Sequence, residues 1–171
     1  MLLNIGKAKR NEGIVEDFDV EVSLDDNLVQ DRGYHFTSPA RVSGSFYYKR
    51  DTLYLDAKVE YNISCLCDNC GESVDKSFSF NMSEQFVEDD VSTNADDYVI
   101  NQITINLDRA VSDNVLYHLP SKILCKDDCK GLCSVCGKNK NLLSCNCEAI
   151  LMEERKKEQN PFNKIKIIGD K

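Results

Sequence analysis

The sequence has no tryptophan, two histidines and no apolar run that approaches the length of a membrane span. A membrane helix needs roughly 18 consecutive apolar residues, so no spanning segment is expected. The first residues, MLLNIGKAKRNEG, carry neither the long apolar stretch nor the small-residue cleavage site of a secretory leader. A cytoplasmic location is therefore the expectation, and the Asn-x-Ser sites at Asn62 and Asn81 read as chance matches. Catalytic signatures are missing as well: there is no phosphate-binding loop, no G-x-S-x-G, no G-x-G-x-x-G and no H-E-x-x-H. His35 lies in strand-like TyrHisPheThr, and His118 lies two residues before Pro120 at a helix end, so both read as structural or surface residues. No enzyme activity and no small-molecule substrate are expected.

Cysteine, in contrast, is abundant, with nine residues in 171. Without a secretory route, so many thiols point to metal binding or reactive thiols rather than to a disulfide framework, and the odd count argues against complete pairing. Six fall in one stretch, CKDDCKGLCSVCGKNKNLLSCNC, from Cys125 to Cys147. Upstream, CLCDNCG holds Cys65, Cys67 and Cys70. The form C-x2-C-G occurs twice, at Cys67–Gly71 and Cys133–Gly137. It is the knuckle of many structural zinc sites: two thiolates on one tight turn reach one ion, and the glycine lets backbone N–H groups face the sulfurs.

Eight cysteines form four close pairs, 67/70, 125/129, 133/136 and 145/147, enough for two tetrahedral four-thiolate sites. The expected cofactor is Zn2+, one or two ions, held by Cys67, Cys70, Cys125, Cys129, Cys133, Cys136, Cys145 and Cys147. One pairing closes the short loop Cys133, Cys136, Cys145 and Cys147 and joins Cys67 and Cys70 to Cys125 and Cys129. The other joins the two C-x2-C-G knuckles, as in a zinc ribbon. Spacing alone leaves both open. Cys65 is the odd residue, expected to face the core or stay free. Four thiolates also suit an iron–sulfur cluster, although C-x8-C-x-C matches no ferredoxin spacing. Exposed zinc thiolates remain oxidisable, which makes a thiol-based redox sensor or redox-regulated chaperone the alternative function.

The remaining pattern is mostly β. Phe18, Val20 and Val22 alternate with acidic and polar neighbours, and residues 1–24 read as strand, ended by a turn at 24–27. Val42, Phe46 and Tyr48 alternate likewise, and so do Leu53, Leu55, Ala57, Val59, Tyr61 and Ile63, with a hairpin turn at 49–51. A third strand through Val74, Phe78, Phe80 and Met82 leads away, which sets the first knuckle at the tip of a hairpin. Residues 87–97 are acidic and aperiodic and read as a solvated loop. Tyr98–Ile105 reads as a strand, and 107–116 takes helical spacing before Pro120. A second helix is expected over 148–159, ended by Pro161, then a short strand or basic tail containing 163–168. The fold class is mostly β (α+β): an antiparallel sheet or partly open barrel with one or two helices and a zinc-bound, cysteine-rich C-terminal segment. The expected division is an acidic β-rich body, 1–120, and a cysteine-rich segment with helix and basic tail, 121–171. The first part carries 10 Lys/Arg against 22 Asp/Glu, and the second 11 against 7. So acidic a body repels phosphate backbones and suits a basic protein partner; any RNA would meet the C-terminal part.

LeuProSerLysIleLeuCys (119–125), CysLysGlyLeuCysSerValCysGlyLysAsnLysAsn (129–141) and CysAsnCys (145–147) resemble the YceD family, named for large ribosomal RNA subunit accumulation. Its pattern runs close to L-P…C-x3-C-K-G-L-C-P-x-C-G-x-N-L-N…C-x-C, after an upstream C-x2-C matched by Cys67 and Cys70. Ser134 stands where proline is usual, Lys140 where leucine is usual, and AsnProPhe (160–162) where Asp-Pro-Arg is usual. The resemblance implies a bacterial, cytoplasmic, non-enzymatic factor for normal levels of large-subunit rRNA. Together with the charge map it suggests a ribosome-biogenesis factor whose partner is a ribosomal protein or large-subunit rRNA.

Overall fold

The computed structural model describes residues 1–89, 92 and 96–159, with side chains as far as Arg155. The elements in chain order are β1 (Leu2–Asn4), α1 (Gly6–Arg10), β2 (Glu16–Val22), two single 3-10 turns, β3 (His35–Phe36), β4 (Ala40–Lys49), β5 (Thr52–Leu66), β6 (Ser73–Glu88), β7 (Tyr98–Ile100), β8 (Thr104–Asn106), α2 (Leu107–His118) and α3 (Cys147–Gln159). Strand dominates. The main sheet runs β2-β4-β5-β6-β7 with β3 beside β5, and β1 pairs with β8 in a separate ribbon. The pairings are antiparallel except β6–β7, which is parallel, and the sheet does not close into a barrel. By internal contacts the chain forms two compact units: Met1–Leu66 with Ser73–Ile123, and Cys67–Glu72 with Leu124–Lys171.

The first unit is built on alternation. Leu53, Leu55, Ala57, Val59, Tyr61, Ile63 and Cys65 of β5 are all buried, while the residues between them face outward. Such period-2 burial follows from the strand's pleat. Leu107, Ala110, Val111 and Val115 give α2 its buried stripe, and Asn106 caps that helix through Asp108 N. Ring packing of Phe80 against His118, centroids 4.1 Å apart, and the bond from Asn114 Nδ2 to Glu84 Oε1 hold α2 to the inner face of β6. Each fully buried Val, Leu or Ile contributes about 1.5–3 kcal/mol, so this unit has a sufficient apolar core of its own.

Several local expectations change. Residues 1–24 are not continuous strand: Ile5 and Ala8, three apart and both fully buried, turn one face of Gly6–Arg10 inward as a helix. The good helix formers Lys7, Ala8, Lys9 and Arg10 suit that turn. β6 continues to Glu88, beyond the expected start of the acidic loop, because Glu88 is held by Lys9 Nζ at 2.6 Å and the Tyr48 hydroxyl at 2.9 Å. Residues 90, 91 and 93–95 of that loop lie outside the described residues. The expected strand Tyr98–Ile105 is two strands, β7 and β8, separated by a turn with Gln102 at φ +58°. The expected strand or tail at 163–168, and the AsnProPhe of 160–162, also lie outside the described residues.

Gly44 is required by close approach. It faces Ala57 across β4–β5, and a Cβ there would lie 2.1 Å from Asp56 O and 2.6 Å from Ala57 Cα. Backbone atoms cannot yield as a flexible side chain would. Gly44→Val is expected to destabilise the protein by about 3 kcal/mol or more, read from the shift of its urea unfolding midpoint.

Candidate metal centres

The second unit has no apolar core among its described residues. Among its described residues, only Cys67, Cys70, Gly131 and Cys133 are buried. Leu132, Val135, Leu142, Leu143, Ile150 and Met152 are all exposed. What converges in this unit is sulfur.

The two knuckles share one geometry. In the first, Cys67 N donates to Glu72 O at 2.8 Å and Gly71 N to Cys67 O at 2.9 Å. In the second, Cys133 N donates to Lys138 O at 2.8 Å and Gly137 N to Cys133 O at 2.9 Å. Gly71 at φ +72° and Gly137 at φ +69° occupy the left-handed region, which a glycine enters without a Cβ penalty. This turn leaves the N–H groups two and three residues on aimed at the first sulfur: Asn69 and Cys70 at Cys67, Val135 and Cys136 at Cys133.

The sulfurs fall into two groups of four, Cys67/Cys70/Cys125/Cys129 and Cys133/Cys136/Cys145/Cys147, each with all four Sγ atoms within 4.8 Å of one another. Of the two pairings open from spacing, the knuckles therefore occur in separate groups. Cys67 Sγ lies 3.8 Å from Cys129 Sγ, and Cys70 Sγ lies 3.7 Å from Cys125 Sγ. A tetrahedron with metal–sulfur bonds of about 2.3 Å has edges of about 3.8 Å. A disulfide would need about 2.05 Å. Each group can hold a metal ion. With four protein ligands it would leave no open position for a substrate. Cys65 belongs to neither group and is buried in β5 of the first unit.

Electrostatics divide the thiols. At Cys67 burial works to raise the thiol, but N–H groups of Cys125, Cys70 and Asn69 outweigh it and hold it down at about 6. Cys133 is held at about 6 by the N–H groups of Cys136 and Val135. At Cys129 burial is again outweighed, here by Asn141 and the Gly131 N–H, and its thiol is lowered. Opposite them, the neighbouring Cys129 sulfur and burial push Cys125 up to about 12, and the Cys136 sulfur and burial push Cys147 up to about 12. Like charges this close cannot all ionise without a cation among them. A divalent ion held by the four sulfurs would supply that charge.

Sequence reasoning passed over the groups that brace the sulfurs. Asn141 Nδ2 donates to Cys129 Sγ at 3.3 Å, and its Oδ1 accepts from Lys130 N at 2.9 Å. Asn139 Oδ1 accepts from Asn141 N at 2.9 Å, and Asn139 Nδ2 reaches Glu72 Oε1 at 3.1 Å. Leu132 N donates to Asn69 O at 3.1 Å. The loop after the second knuckle thus supports the first group. Its signal in the sequence was the Asn-x-Asn of residues 139–141, one residue after the second C-x2-C-G. The two histidines lie in the first unit and belong to neither group: His35 faces Asp26 at 3.4 Å, and His118 stacks on Phe80 with Nδ1 2.9 Å from Asn114 O.

The family profile described as "Large ribosomal RNA subunit accumulation protein YceD" matches residues 55–167, about two thirds of the chain. The protein belongs to that family, whose name ties it to accumulation of large-subunit ribosomal RNA. No curated protein and no solved structure matches the chain. Among the described residues, no helix is long and apolar enough to cross a membrane.

Gly131, at φ +68°, would place a Cβ 3.1 Å from Asn69 O, whereas a Cβ on Gly137 would meet nothing within 4 Å. Gly137→Ala should cost only the left-handed backbone term, about 1–2 kcal/mol. Gly131→Ala should cost more, and urea unfolding of the two variants side by side checks the order.

Proposed function

We propose that the protein is a non-enzymatic, zinc-binding factor that supports large ribosomal subunit biogenesis by binding a ribosomal protein or large-subunit rRNA. In this reading Cys67, Cys70, Cys125 and Cys129 hold one Zn2+, and Cys133, Cys136, Cys145 and Cys147 hold a second. The observation that carries the metal assignment is a compact unit whose buried side chains are cysteines. The described residues of this unit bury little apolar surface, and a structural zinc site can supply about 10–16 kcal/mol in small peptides. All-thiolate donors favour zinc over harder divalent ions. The family's name carries the ribosomal assignment. The charge map supports a division of labour between an acidic body, residues 1–120, that takes a basic protein, and a cysteine-rich part, 121–171, nearer RNA.

Elemental analysis of anaerobically purified protein should find two zinc per chain. Cys70→Ser and Cys136→Ser should each lose one zinc and keep the other. Loss of both zinc ions from either single variant, or iron in place of zinc, would overturn the assignment. Brief peroxide that releases zinc reversibly and switches on holdase activity would favour the redox alternative instead.

The ribosomal reading is tested in cells depleted of the protein and rescued with a tagged copy. Large-subunit rRNA should fall on depletion and recover on rescue, and the tagged copy should enrich a large-subunit ribosomal protein or precursor rRNA. Loss of large-subunit rRNA with neither enriched would sink the binding mechanism.

A further inference from the structure

The first unit buries one face of its sheet and leaves the other uncovered. Along β2, β4, β5 and β6 the outward side chains are half-buried or exposed, and none is buried. An antiparallel sheet with one wet face is common. The composition of this one is not. On β4 and β6 the outward positions include Ser43, Ser45, Ser77, Ser79 and Ser83, with no lysine or arginine among the outward residues of β6. Short side chains open two recesses on the face. One, of about 400 Å³, is bordered by Glu21, Glu60, Asn62, Ser77 and Ser79. The other, of about 360 Å³, is bordered by Ser43, Ser45, Asp56 and Ser83.

Charge on the face has one sign to spare. Two of its three cations are already engaged: Arg41 holds Asp19 through both carboxylate oxygens, at 3.0 and 2.6 Å, and Lys58 holds Glu60 at 2.5 Å, while the third, Lys49, stands at the end of β4 opposite Thr52. Asp17, Glu21, Asp56 and Asp75 remain with no cation in salt-bridge range among the described residues. Beyond the recess at Ser43, Tyr47 and Tyr54 stack across the strands, ring centroids 5.0 Å apart and 13° from parallel. A half-exposed tyrosine face attracts guanidinium and ammonium groups. Asp56 and Glu60, four residues apart on β5, stand about 13 Å apart along the strand, the spacing at which every fourth side chain of an extended chain recurs.

We infer that this outer face of β2, β4, β5 and β6 is a docking surface for an extended, lysine- and arginine-rich polypeptide segment. The inference rests on the partner reading above and names where on the acidic body that partner lies. Basic side chains at every fourth position meet Asp56, Glu21 and Asp75, small residues midway between them, on the same face of the extended segment, enter the serine-lined recesses, and one cation stacks over the Tyr47–Tyr54 pair. A nucleic acid would find carboxylates where it needs cations.

The test uses the metal-loaded full chain and a dodecapeptide of three Lys-Ser-Ser-Ser repeats, which sets lysine at every fourth position and a small residue midway on the same face. Its binding should shift the backbone amides of Ser43, Asp56, Ser77, Ser79 and Ser83 and leave inward-facing β5 positions unmoved. The triple variant Asp56→Ser, Glu60→Ser, Asp75→Ser should bind tenfold or more weakly. A control of equal charge change elsewhere, Glu12→Ser, Asp31→Ser, Glu153→Ser, should change affinity less than twofold. Ser77→Lys with Ser79→Lys fills the trough with like charge and should abolish binding, which keeps the proposal testable if the triple variant does not fold. Equal loss in test and control triples, shifts outside the face, no binding at low salt, or equal binding by a single-stranded RNA of the same length would each overturn it. Zinc content and large-subunit rRNA levels do not depend on this peptide assay. A failure of the face is therefore distinguishable from a failure of the proposed function.

Discussion

Sulfur convergence is the constraint on which the second unit depends. A unit of this size normally holds together by apolar burial. Here, among the described residues, Leu132, Val135, Leu142, Leu143, Ile150 and Met152 are exposed, and the buried residues are three cysteines and a glycine. Four thiols within 4.8 Å repel one another once ionised and gain little from packing. The arrangement is favourable with a cation at its centre and poor without one. The first unit is under no such constraint, because its sheet, α1 and α2 already bury a continuous set of Val, Leu, Ile and aromatic side chains.

The same turn is used twice, and its supports differ. Each knuckle aims two backbone N–H groups at its first sulfur, which offsets the excess negative charge of an all-thiolate site. Among the described residues, only the group holding Cys67 also takes a side-chain amide donor, Asn141, delivered by the loop that follows the other knuckle. Order in one group thereby contributes to order in the other. Outer hydrogen bonds of this kind hold ligands in orientation and tune the ion they surround.

A second asymmetry is that of the sheet. Its inner face is apolar and sealed by helix, and its outer face is polar, acidic and short in side-chain length. Family membership ties the chain to large-subunit rRNA, yet the larger acidic part of the molecule is ill suited to phosphate. The proposed basic protein partner would reconcile the two, since carboxylates attract basic proteins and repel RNA. That is the physical sense in which charge and family agree.

Much of this was legible along the chain. Period-2 alternation gives β4, β5 and β6 directly, because a pleated strand exposes every second residue to the same side. C-x2-C-G gives both knuckles, because four residues and a left-handed glycine suffice to close them. CKGLCxxCG gives the family. The tertiary structure decided what local pattern cannot reach. Which cysteine pairs share a group depends on bringing Cys67 and Cys70 to Cys125 and Cys129, more than fifty positions away. The helix at Gly6–Arg10 forms because Ile5 and Ala8 find a core built by distant strands. The parallel pairing of β7 with β6, and the reach of Asn141 to Cys129, are set in the same way. Short-range spacing determines turns and strands. Long-range packing determines partners, since the free energy that selects them comes from residues the local sequence does not contain.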